Sequence, residues 1–327
     1  MPTRSPTPTM NEQPLISVAL SVYNGARFLR RQLDSILDQQ DVSIEVVVVD
    51  DGSQDDSVAL LREYAGRDPR VRLHINPGNL GVTRSFERAI SLCQSDFIAP
   101  SDQDDIWQPR KLATLLAAIG DHDLAYCNSE YIDGDGHPSG RCVSDDVPML
   151  SGRQPMQFVF MNSVSGHAAL LRRSLFEEAR PLPSGLYFDW VLAMFAAARA
   201  GIVYVDQPLV QFRRHPQAFS PIGMATGPRS PSRNRVWLNE RRRLLRALAG
   251  SGMTKKESAA RMLHALEAAE AGRGMLPLLR EIWRERAAAP PGRGSAALNA
   301  ISLQSRTLRK LKRARGEPIP VETPLGL

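Results

Sequence analysis

Cysteine is scarce in this chain of 327 residues. Its three cysteines, Cys93, Cys127 and Cys142, lie far apart and show none of the paired spacings of a cysteine metal site. An odd, sparse set of thiols is typical of a reducing compartment, where disulfide frameworks are rare. The sequence therefore argues against a disulfide-stapled secreted domain, and we expect structural or incidental roles for all three thiols.

Long apolar runs are also missing. No stretch reaches the roughly 18 apolar residues that mark a membrane-spanning helix. Residues 1–13 are polar and rich in proline, without the apolar core of a signal peptide. These absences predict a cytoplasmic protein, and any contact with a membrane would be peripheral, at its inner face.

Charge is distributed unevenly along the chain. Residues 229–315 contain 21 Lys and Arg against 6 Asp and Glu, whereas the rest of the chain contains 20 basic and 29 acidic residues. This asymmetry predicts an acidic body with a basic tail that meets an anionic surface. Nucleic acid is not the expected partner, because aromatic side chains are scarce among the arginines.

Short apolar segments alternate with amphipathic ones over the first 120 residues. Strands are predicted at the β-branched runs 15–22, 44–49, 71–75 and 97–99. Helices are predicted where apolar residues follow helical spacing, at 26–37, 55–64, 83–93 and 109–118. This alternation predicts an α/β fold whose mostly parallel sheet is covered by helices on both faces. In such sheets, ligands bind outside the carboxyl ends of the strands.

An acidic run directly follows the fourth predicted strand. The sequence Ser-Asp-Gln-Asp-Asp-Ile-Trp at 101–107 places Asp102, Asp104 and Asp105 within four positions. Carboxylates this close repel one another, and a divalent cation relieves the repulsion. Oxygen ligands suit Mg²⁺ or Mn²⁺, which would take substrate phosphate as a further ligand. The alternative is an acidic loop that only caps the next helix.

Two other polar turns, at 23–25 and 50–53, also fall at the carboxyl ends of predicted strands. We expect them to converge with the acidic run on one crevice. No G-x-G-x-x-G motif follows the first strand and no Walker A sequence occurs, so acidic groups would face the ligand. This pattern argues against an NAD oxidoreductase and favours a metal-dependent nucleotide-sugar enzyme.

Four ordered motifs, at 15–25, 46–53, 79–90 and 101–112, resemble the donor-binding half of the family 2 glycosyltransferases, which have the GT-A fold. The phrases Asn-Leu-Gly-Val-Thr-Arg-Ser-Phe-Glu and Ser-Asp-Gln-Asp-Asp-Ile-Trp-Gln-Pro-Arg-Lys-Leu are similar to rhamnosyltransferase-like members. The resemblance extends to about Phe219. It implies an inverting transfer from a nucleoside diphosphate sugar.

The resemblance also implies roles for single residues in the donor half. The residues expected to contact the nucleotide sugar are Ser21, Tyr23, Asn24, Asp51, Arg84, Asp102 and Gln103. Asp104 would bind the Mg²⁺ or Mn²⁺ ion. His215, in an Arg-x-His ending, would complete the metal shell, or else belong to an ordinary basic strand end. The resemblance gives Asp105 no secure role.

The acceptor half contains the predicted catalytic base, Asp189, at the start of an apolar helix. An inverting transfer needs one base to take the proton of the acceptor hydroxyl, and family members carry that carboxylate at this place. The alternative is a residue that only caps the helix. Trp190 is predicted to form an acceptor-sugar platform, and His167 to contact the acceptor, although a lone histidine is more often a structural residue.

The expected domain plan has three parts. Residues 1–14 are predicted to be disordered, 15–222 to form the GT-A domain, and 223–327 to form a linker and a basic helical tail. Within the GT-A domain, 15–120 would bind the nucleotide sugar and 121–222 the acceptor. The tail would either contact an anionic membrane or form a solvated helical cap.

Together with the acidic run, the resemblance implies an inverting, metal-dependent glycosyltransferase of cell-surface polysaccharide synthesis. Its donor would be dTDP-rhamnose or a UDP-hexose, and its acceptor a glycan, including a lipid-linked one. Two alternatives remain open at this point. One is a catalytically silent nucleotide-sugar binding module, and the other is a nucleotidyltransferase, which also needs carboxylates, a cation and a nucleotide.

Overall fold

The structure is a computed structural model that describes residues 15–215, 233–288 and 296–314. The segment 1–14, predicted to be disordered, and the predicted linker 223–232 lie outside the described residues. The predicted sites and most of the tail lie within them.

The described strands form one mixed, nine-stranded sheet. They are β1 (Leu15–Val22), β2 (Ser43–Asp50), β3 (Val71–Ile75), β4 (Phe97–Ser101), β5 (Ile106–Trp107), β6 (Leu124–Ile132), β7 (Pro138–Cys142), β8 (Ala169–Arg172) and β9 (Ile202–Arg213). Their order is β3-β2-β1-β4-β8-β6-β9-β5, and β7 pairs with β6 beside this path. The strands β1 to β4 are parallel to one another, β8 runs antiparallel to both of its neighbours, β6 and β9 are again parallel, and β5 runs antiparallel to β9.

Helices cover the sheet and continue into the tail. Those of the body are α1 (Ala26–Leu37), α2 (Ser57–Arg67), α3 (Val82–Leu92), α4 (Lys111–Ile119), α5 (Val143–Asp146), α6 (Pro155–Phe160), α7 (Arg173–Ala179) and α8 (Phe188–Ala198). Those of the tail are α9 (Arg233–Ala249), α10 (Lys256–Glu270), α11 (Leu276–Arg284) and α12 (Ala296–Ala314). A 3₁₀ turn, Gly166–Ala168, precedes β8.

The central strands are buried on both faces. Successive side chains of a strand point to opposite sides of the sheet, and helices cover each side. Val18 and Val46 pack with α1 and α4, whereas Ala19 and Val47 pack on the other side with α3 and α8. Near-continuous apolar runs are typical of such doubly covered parallel strands. The predicted α/β fold with helices on both faces and a helical extension is therefore confirmed.

The first tail helix packs against the body of the protein. Leu238, Leu244 and Leu248 of α9 are fully buried in the same apolar cluster as Val191 of α8. The tail and the body therefore share a core, and a domain boundary at residue 222 stays a prediction. Among the described helices, none combines the length and the apolar character needed to span a bilayer.

Candidate active site

Three turns meet at the carboxyl ends of β1, β2 and β4. The side-chain amide of Gln103 pairs with the backbone of Tyr23: the Tyr23 N–H donates to Oε1 at 2.8 Å, and Nε2 donates to the Tyr23 carbonyl at 3.0 Å. The N–H of Asn24 donates to Ser53 Oγ at 2.9 Å. A Cβ on Gly25 would lie only 2.4 Å from Gln103 Oε1, so a larger residue there would displace the Gln103 amide. The three turns, which the sequence predicts to converge, are thus in contact in the structure.

These contacts give Gln103 a structural task, and its predicted contact with the nucleotide sugar stays a prediction. Its amide joins two turns and has both of its polar atoms engaged by Tyr23, so it shapes the crevice. The Tyr23 side chain, in contrast, is exposed at the surface of the crevice. Ser21 is half-buried on β1, and the side-chain oxygen of Asn24 accepts the N–H of Gln54 at 2.8 Å.

Asp51 also has a supporting position that the motif did not predict. Its carboxylate is buried and accepts hydrogen bonds from Asn76 Nδ2 at 2.7 Å and from the N–H groups of Leu80 at 2.8 Å and Gly81 at 2.9 Å. It therefore holds the loop that leads into α3. Its predicted contact with the nucleotide sugar stays a prediction.

Arg84, in the first turn of α3, is exposed and forms an ion pair with Glu87. The side chain stays accessible from solvent because its partner lies on the same helix, one turn further along. Its predicted contact with the nucleotide sugar remains a prediction.

The acidic run separates into an exposed part and a buried part. The Asp102 side chain is 42% exposed, whereas that of Asp105 is fully buried. The His167 ring lies between them, with Nδ1 at 3.4 Å from Asp102 Oδ2 and at 3.6 Å from Asp105 Oδ2. Burial and the nearby carboxylates of Asp104 and Asp102 raise the pKa of Asp105 to about 7, against the opposing effect of His167.

This arrangement corrects the prediction of an acceptor contact for His167. Only 3% of its side chain is exposed, and its Nε2 lies 3.1 Å from Ser129 Oγ. Burial opposes protonation of the ring, but the Asp105 and Asp102 carboxylates outweigh this effect and raise the pKa of His167.

Asp104 faces a different histidine. Its Oδ2 lies 2.8 Å from His215 Nε2, at a partly exposed position beside the ring of Phe28. The neighbouring residue Asp105 is buried and contacts the strand that precedes His215. Its Oδ1 accepts a hydrogen bond from the N–H of Arg213, at the end of β9, at 3.0 Å. Asp105, to which the motif gave no role, thus fastens the strand end that carries His215.

The residues present fit a divalent cation. The predicted pair of Asp104 and His215 is assembled, and ligand atoms of Asp102, Asp105 and His167 lie within 4.8 Å of one another. Asp105 Oδ2 is buried without a hydrogen-bond partner, which is costly for an acceptor and indicates unused ligand capacity. Carboxylate oxygens with imidazole nitrogen suit Mg²⁺ or Mn²⁺.

Asp189 lies in the first turn of α8, as predicted for the base. Its Oδ2 accepts the N–H of Gly166 at 3.1 Å, and its Oδ1 accepts the N–H of Trp190 at 2.6 Å. The residue is partly exposed, but burial of the carboxylate raises its pKa to about 6, although the two N–H donors oppose the rise. A pKa close to neutrality suits a group that must gain and lose a proton. A Cβ on Gly166 would lie 2.5 Å from the Phe188 ring, so glycine allows this close approach.

Comparison with known proteins decides the family. The model of Glycosyl transferase family 2 matches residues 17–180, about half of the chain. The chain belongs to this family. The predicted family and the predicted class of enzyme, a glycosyltransferase, are thereby confirmed.

Relatives and solved structures of glycosyltransferases agree with this assignment. EpsH of Bacillus subtilis (strain 168) is 31% identical over 222 residues, which cover 62% of this chain and 62% of EpsH. Chondroitin synthase of Escherichia coli is 33% identical over 132 residues, which cover 39% of this chain and 19% of that protein. The chain thus matches about three fifths of the length of EpsH and a fifth of the synthase.

Two solved structures share the fold. S. aureus TarS 1-349 in complex with UDP-GlcNAc has a TM-score of 0.58 at 15% identity, over 92% of this chain and 89% of that one. The mannosyltransferase PcManGT from Pyrobaculum calidifontis, in complex with GDP-Man and Mn²⁺, has a TM-score of 0.52 at 16% identity, over 93% and 86%. At these identities the likeness shows the GT-A fold of this glycosyltransferase.

Trp190 of this glycosyltransferase is a core residue, which corrects the predicted sugar platform. The residue is 7% exposed, and its indole N–H donates to the Phe158 carbonyl. The guanidinium of Arg241, from the tail helix α9, lies 4.7 Å from the centroid of the indole ring. A ring enclosed in this way cannot stack on an acceptor sugar.

Lys111 is a site residue that sequence reasoning missed. Its Nζ is buried, donates to the His167 carbonyl at 2.6 Å and lies 3.1 Å from the centroid of the Trp107 ring. Burial lowers its pKa to about 7, against the charges of Cys127, Asp105 and Asp102. Helical spacing gave a usable signal, because Lys111 falls on the same face of α4 as Leu115 and Ile119. A charged residue on an apolar face usually has a buried partner.

Proposed function

We propose that this chain is an inverting, cation-dependent glycosyltransferase that moves a sugar from a nucleoside diphosphate sugar to a glycan acceptor. The observation that carries the proposal is a pair of carboxylate sets with different surroundings, near enough for Asp102 to help burial raise the pKa of Asp189. Asp102 and Asp104 stand at the end of β4, beside two histidines. Asp189 stands on α8, with its pKa raised to about 6. The first set suits a diphosphate bound with a cation, and the second suits removal of a proton.

The donor would lie along the ends of β1, β2 and β4. Tyr23 offers an exposed ring for the base, and Asp102 a partly exposed carboxylate for the ribose or diphosphate side. Asp104 and His215 would hold Mg²⁺ or Mn²⁺, because they are more accessible than Asp105 and His167. When bound, the ion neutralises negative charge on the departing diphosphate. Mn²⁺ in the complex of the Pyrobaculum mannosyltransferase supports this choice of cofactor.

Asp189 would act as the general base. Its carboxylate takes the proton from the acceptor hydroxyl, and the oxygen attacks the anomeric carbon on the face opposite the diphosphate. The bond between the sugar and the diphosphate breaks with its electron pair on the leaving oxygen, so nucleoside diphosphate departs. A single displacement inverts the anomeric centre. A retaining hydrolase instead uses two close carboxylates and a covalent intermediate.

We propose a UDP-hexose or dTDP-rhamnose as the donor and a glycan, including a lipid-linked one, as the acceptor in cell-surface polysaccharide synthesis. UDP-GlcNAc in the TarS complex supports a UDP sugar, and the chondroitin synthase relative supports polysaccharide synthesis. The silent binding module and the nucleotidyltransferase are the competing functions. They differ from the proposal in their products, because the module gives none and the nucleotidyltransferase releases pyrophosphate.

Incubation with a panel of nucleotide sugars and Mn²⁺ is expected to release nucleoside diphosphate from one of them. Removal of the cation with EDTA, or the variant Asp104→Ala, should lower this rate about 100-fold or more, since a catalytic cation contributes several kcal/mol and each 1.4 kcal/mol is tenfold. Arg110→Ala, at an exposed ion pair with Asp41, is the matched surface control and should retain the rate. Release of pyrophosphate would establish the nucleotidyltransferase, and an EDTA-resistant rate would remove the cation from the proposal.

We further propose that the tail holds this enzyme at an anionic membrane, on its cytoplasmic side, through α11 and α12. The apolar face of α9 is buried in the core and is not available to lipid. On the other helices, Leu276, Trp283, Leu298 and Ile301 have exposed fractions of 79%, 41%, 60% and 48%. The helix α12 contains five basic and no acidic side chains. Exposed apolar groups beside Lys and Arg favour an anionic interface.

Co-sedimentation with vesicles of phosphatidylcholine and phosphatidylglycerol tests this contact. The double variant Arg309→Glu and Lys312→Glu should weaken binding at least tenfold, because each basic residue near an anionic surface contributes about 1 kcal/mol. Point variants are preferable to deletion of the tail, which would uncover the core around Leu244. Arg110→Glu, on the body, should leave binding unchanged. Equal binding of wild type and the double variant would contradict the contact.

A further inference from the structure

One buried cation links the tail to the helix that carries the proposed base. Arg241 of α9 is 6% exposed, and its guanidinium carbon lies 4.7 Å from the ring centroid of Trp190 and 4.5 Å from that of Trp237. Nη1 donates to Glu240 Oε2 at 2.6 Å, and Nη2 donates to the Phe160 carbonyl at 3.3 Å. The side chain therefore touches α6, α8 and its own helix at once.

The group that Arg241 touches on α8 is the immediate neighbour of Asp189. The backbone N–H of Trp190 donates to Asp189 Oδ1, and its indole N–H donates to the Phe158 carbonyl on α6. The orientation of the Trp190 side chain and that of the Asp189 carboxylate are thus fixed in the same helical turn. A displacement of Trp190 as a whole, main chain included, would move the N–H that holds the carboxylate.

Burial makes the charged form of Arg241 unfavourable. Burial lowers the pKa of Arg241 to about 10, although Glu240 opposes the change. Contact with the faces of two aromatic rings offsets part of this cost, but an apolar side chain of similar volume often gives equal or greater stability than a buried ion pair. Stability alone therefore gives little reason for an arginine, whereas a planar cation that meets two rings and a carbonyl defines a single geometry.

We infer that Arg241 is a positioning residue, which orients Asp189 for proton transfer through Trp190 and makes the tail part of the catalytic apparatus. The inference rests on the proposed role of Asp189 as the base. It assigns to the tail a task inside the active site that is separate from any contact with a membrane. Arg241 lies 52 residues after Asp189 in the sequence.

The test compares Arg241→Met and Arg241→Lys with Arg246→Met, the control on the same helix, whose arginine pairs with Glu267 and is 64% exposed. Arg241→Met should lower kcat about 10- to 100-fold, because misplacement of a reacting group by about 1 Å can cost 100-fold. KM for the donor and the affinity for UDP, measured by calorimetry, should stay within about twofold. The pH at which kcat rises should move above 6, because the displaced Trp190 N–H no longer lowers the pKa of Asp189. Arg241→Lys should restore part of the rate.

Several results would overturn the inference. An Arg241→Met protein with a lower Tm but unchanged kcat and pH profile would assign Arg241 to packing alone, and an equal loss of UDP affinity would indicate general damage to the fold. If Arg241→Met does not fold, Trp237→Leu removes one of the two rings and should give the same selective loss of kcat; an unchanged kcat in that variant is equally decisive. Failure of Asp189 as the base is detected separately, as turnover that survives Asp189→Asn.

Discussion

Asp189→Asn is expected to lower the rate of sugar transfer about 1000-fold while the affinity for the donor nucleotide stays within about twofold. General-base catalysis contributes roughly 10²- to 10⁴-fold, and asparagine keeps the volume and the acceptor oxygen of the side chain while removing its basicity. Of the two N–H groups that hold the carboxylate, one can still donate to the amide oxygen of asparagine, whereas the other then faces the amide nitrogen. The measurement is steady-state release of nucleoside diphosphate, with UDP binding by calorimetry.

The dependence of the wild-type rate on pH should also show the titration of Asp189. With the pKa of Asp189 raised to about 6, the carboxylate is protonated and inactive below that pH and basic above it. The rate should therefore rise between about pH 5 and pH 7, with a midpoint near 6, and the asparagine variant should lack this rise. Asp121→Asn, at an exposed aspartate before β6, is the matched control with an unchanged profile.

The outcome also separates the competing functions. Loss of transfer with retained nucleotide binding is the result expected of an enzyme that has lost its base. A silent binding module would show no transfer in the wild type either. If the asparagine variant keeps its turnover, Asp189 is not the base, and the closeness of its pKa to neutrality reflects burial at a helix start and nothing more.

Local sequence patterns predict the helices and strand ends of the donor half well. The helix α1 was predicted at 26–37 and occupies Ala26–Leu37, because its apolar residues repeat with helical spacing and a glycine precedes them. The meeting of the turns after β1, β2 and β4 also followed from the sequence, since carboxyl ends of parallel strands share one edge. These properties depend on residues close together in the chain or on a general rule of sheet topology.

The roles of individual polar residues were harder to predict. Asp51 meets donors that lie 25 to 30 positions away, and Lys111 meets a carbonyl 56 positions away. A motif identifies such residues as part of a site, but whether they face the ligand or hold a loop depends on these distant partners. The same reason explains why His167 and Trp190 were assigned to the acceptor, whereas the fold uses them inside the protein.

Trp190→Ala should show the stability effect that a core residue predicts. Replacement of a buried tryptophan by alanine costs about 3–5 kcal/mol through lost burial and the cavity that remains. Here it also removes the ring beneath Arg241 and the donor to the Phe158 carbonyl. For a protein of this size we expect a fall in Tm of about 10 °C, since 1 kcal/mol corresponds to roughly 2–4 °C. Differential scanning calorimetry or urea unfolding would measure it.

Trp283→Ala is the matched control, because this tryptophan of α11 is 41% exposed. Surface substitutions usually change stability by less than about 0.5 kcal/mol, so its Tm should stay within about 2 °C of wild type. Trp190→Phe should lie between the two, since it keeps an aromatic ring but loses the indole N–H. A sugar platform would behave in the opposite way: Trp190→Ala would raise KM for the acceptor and leave Tm unchanged. That result would place Trp190 in the acceptor site. The space around its ring would then have to be open, whereas it is packed in the structure.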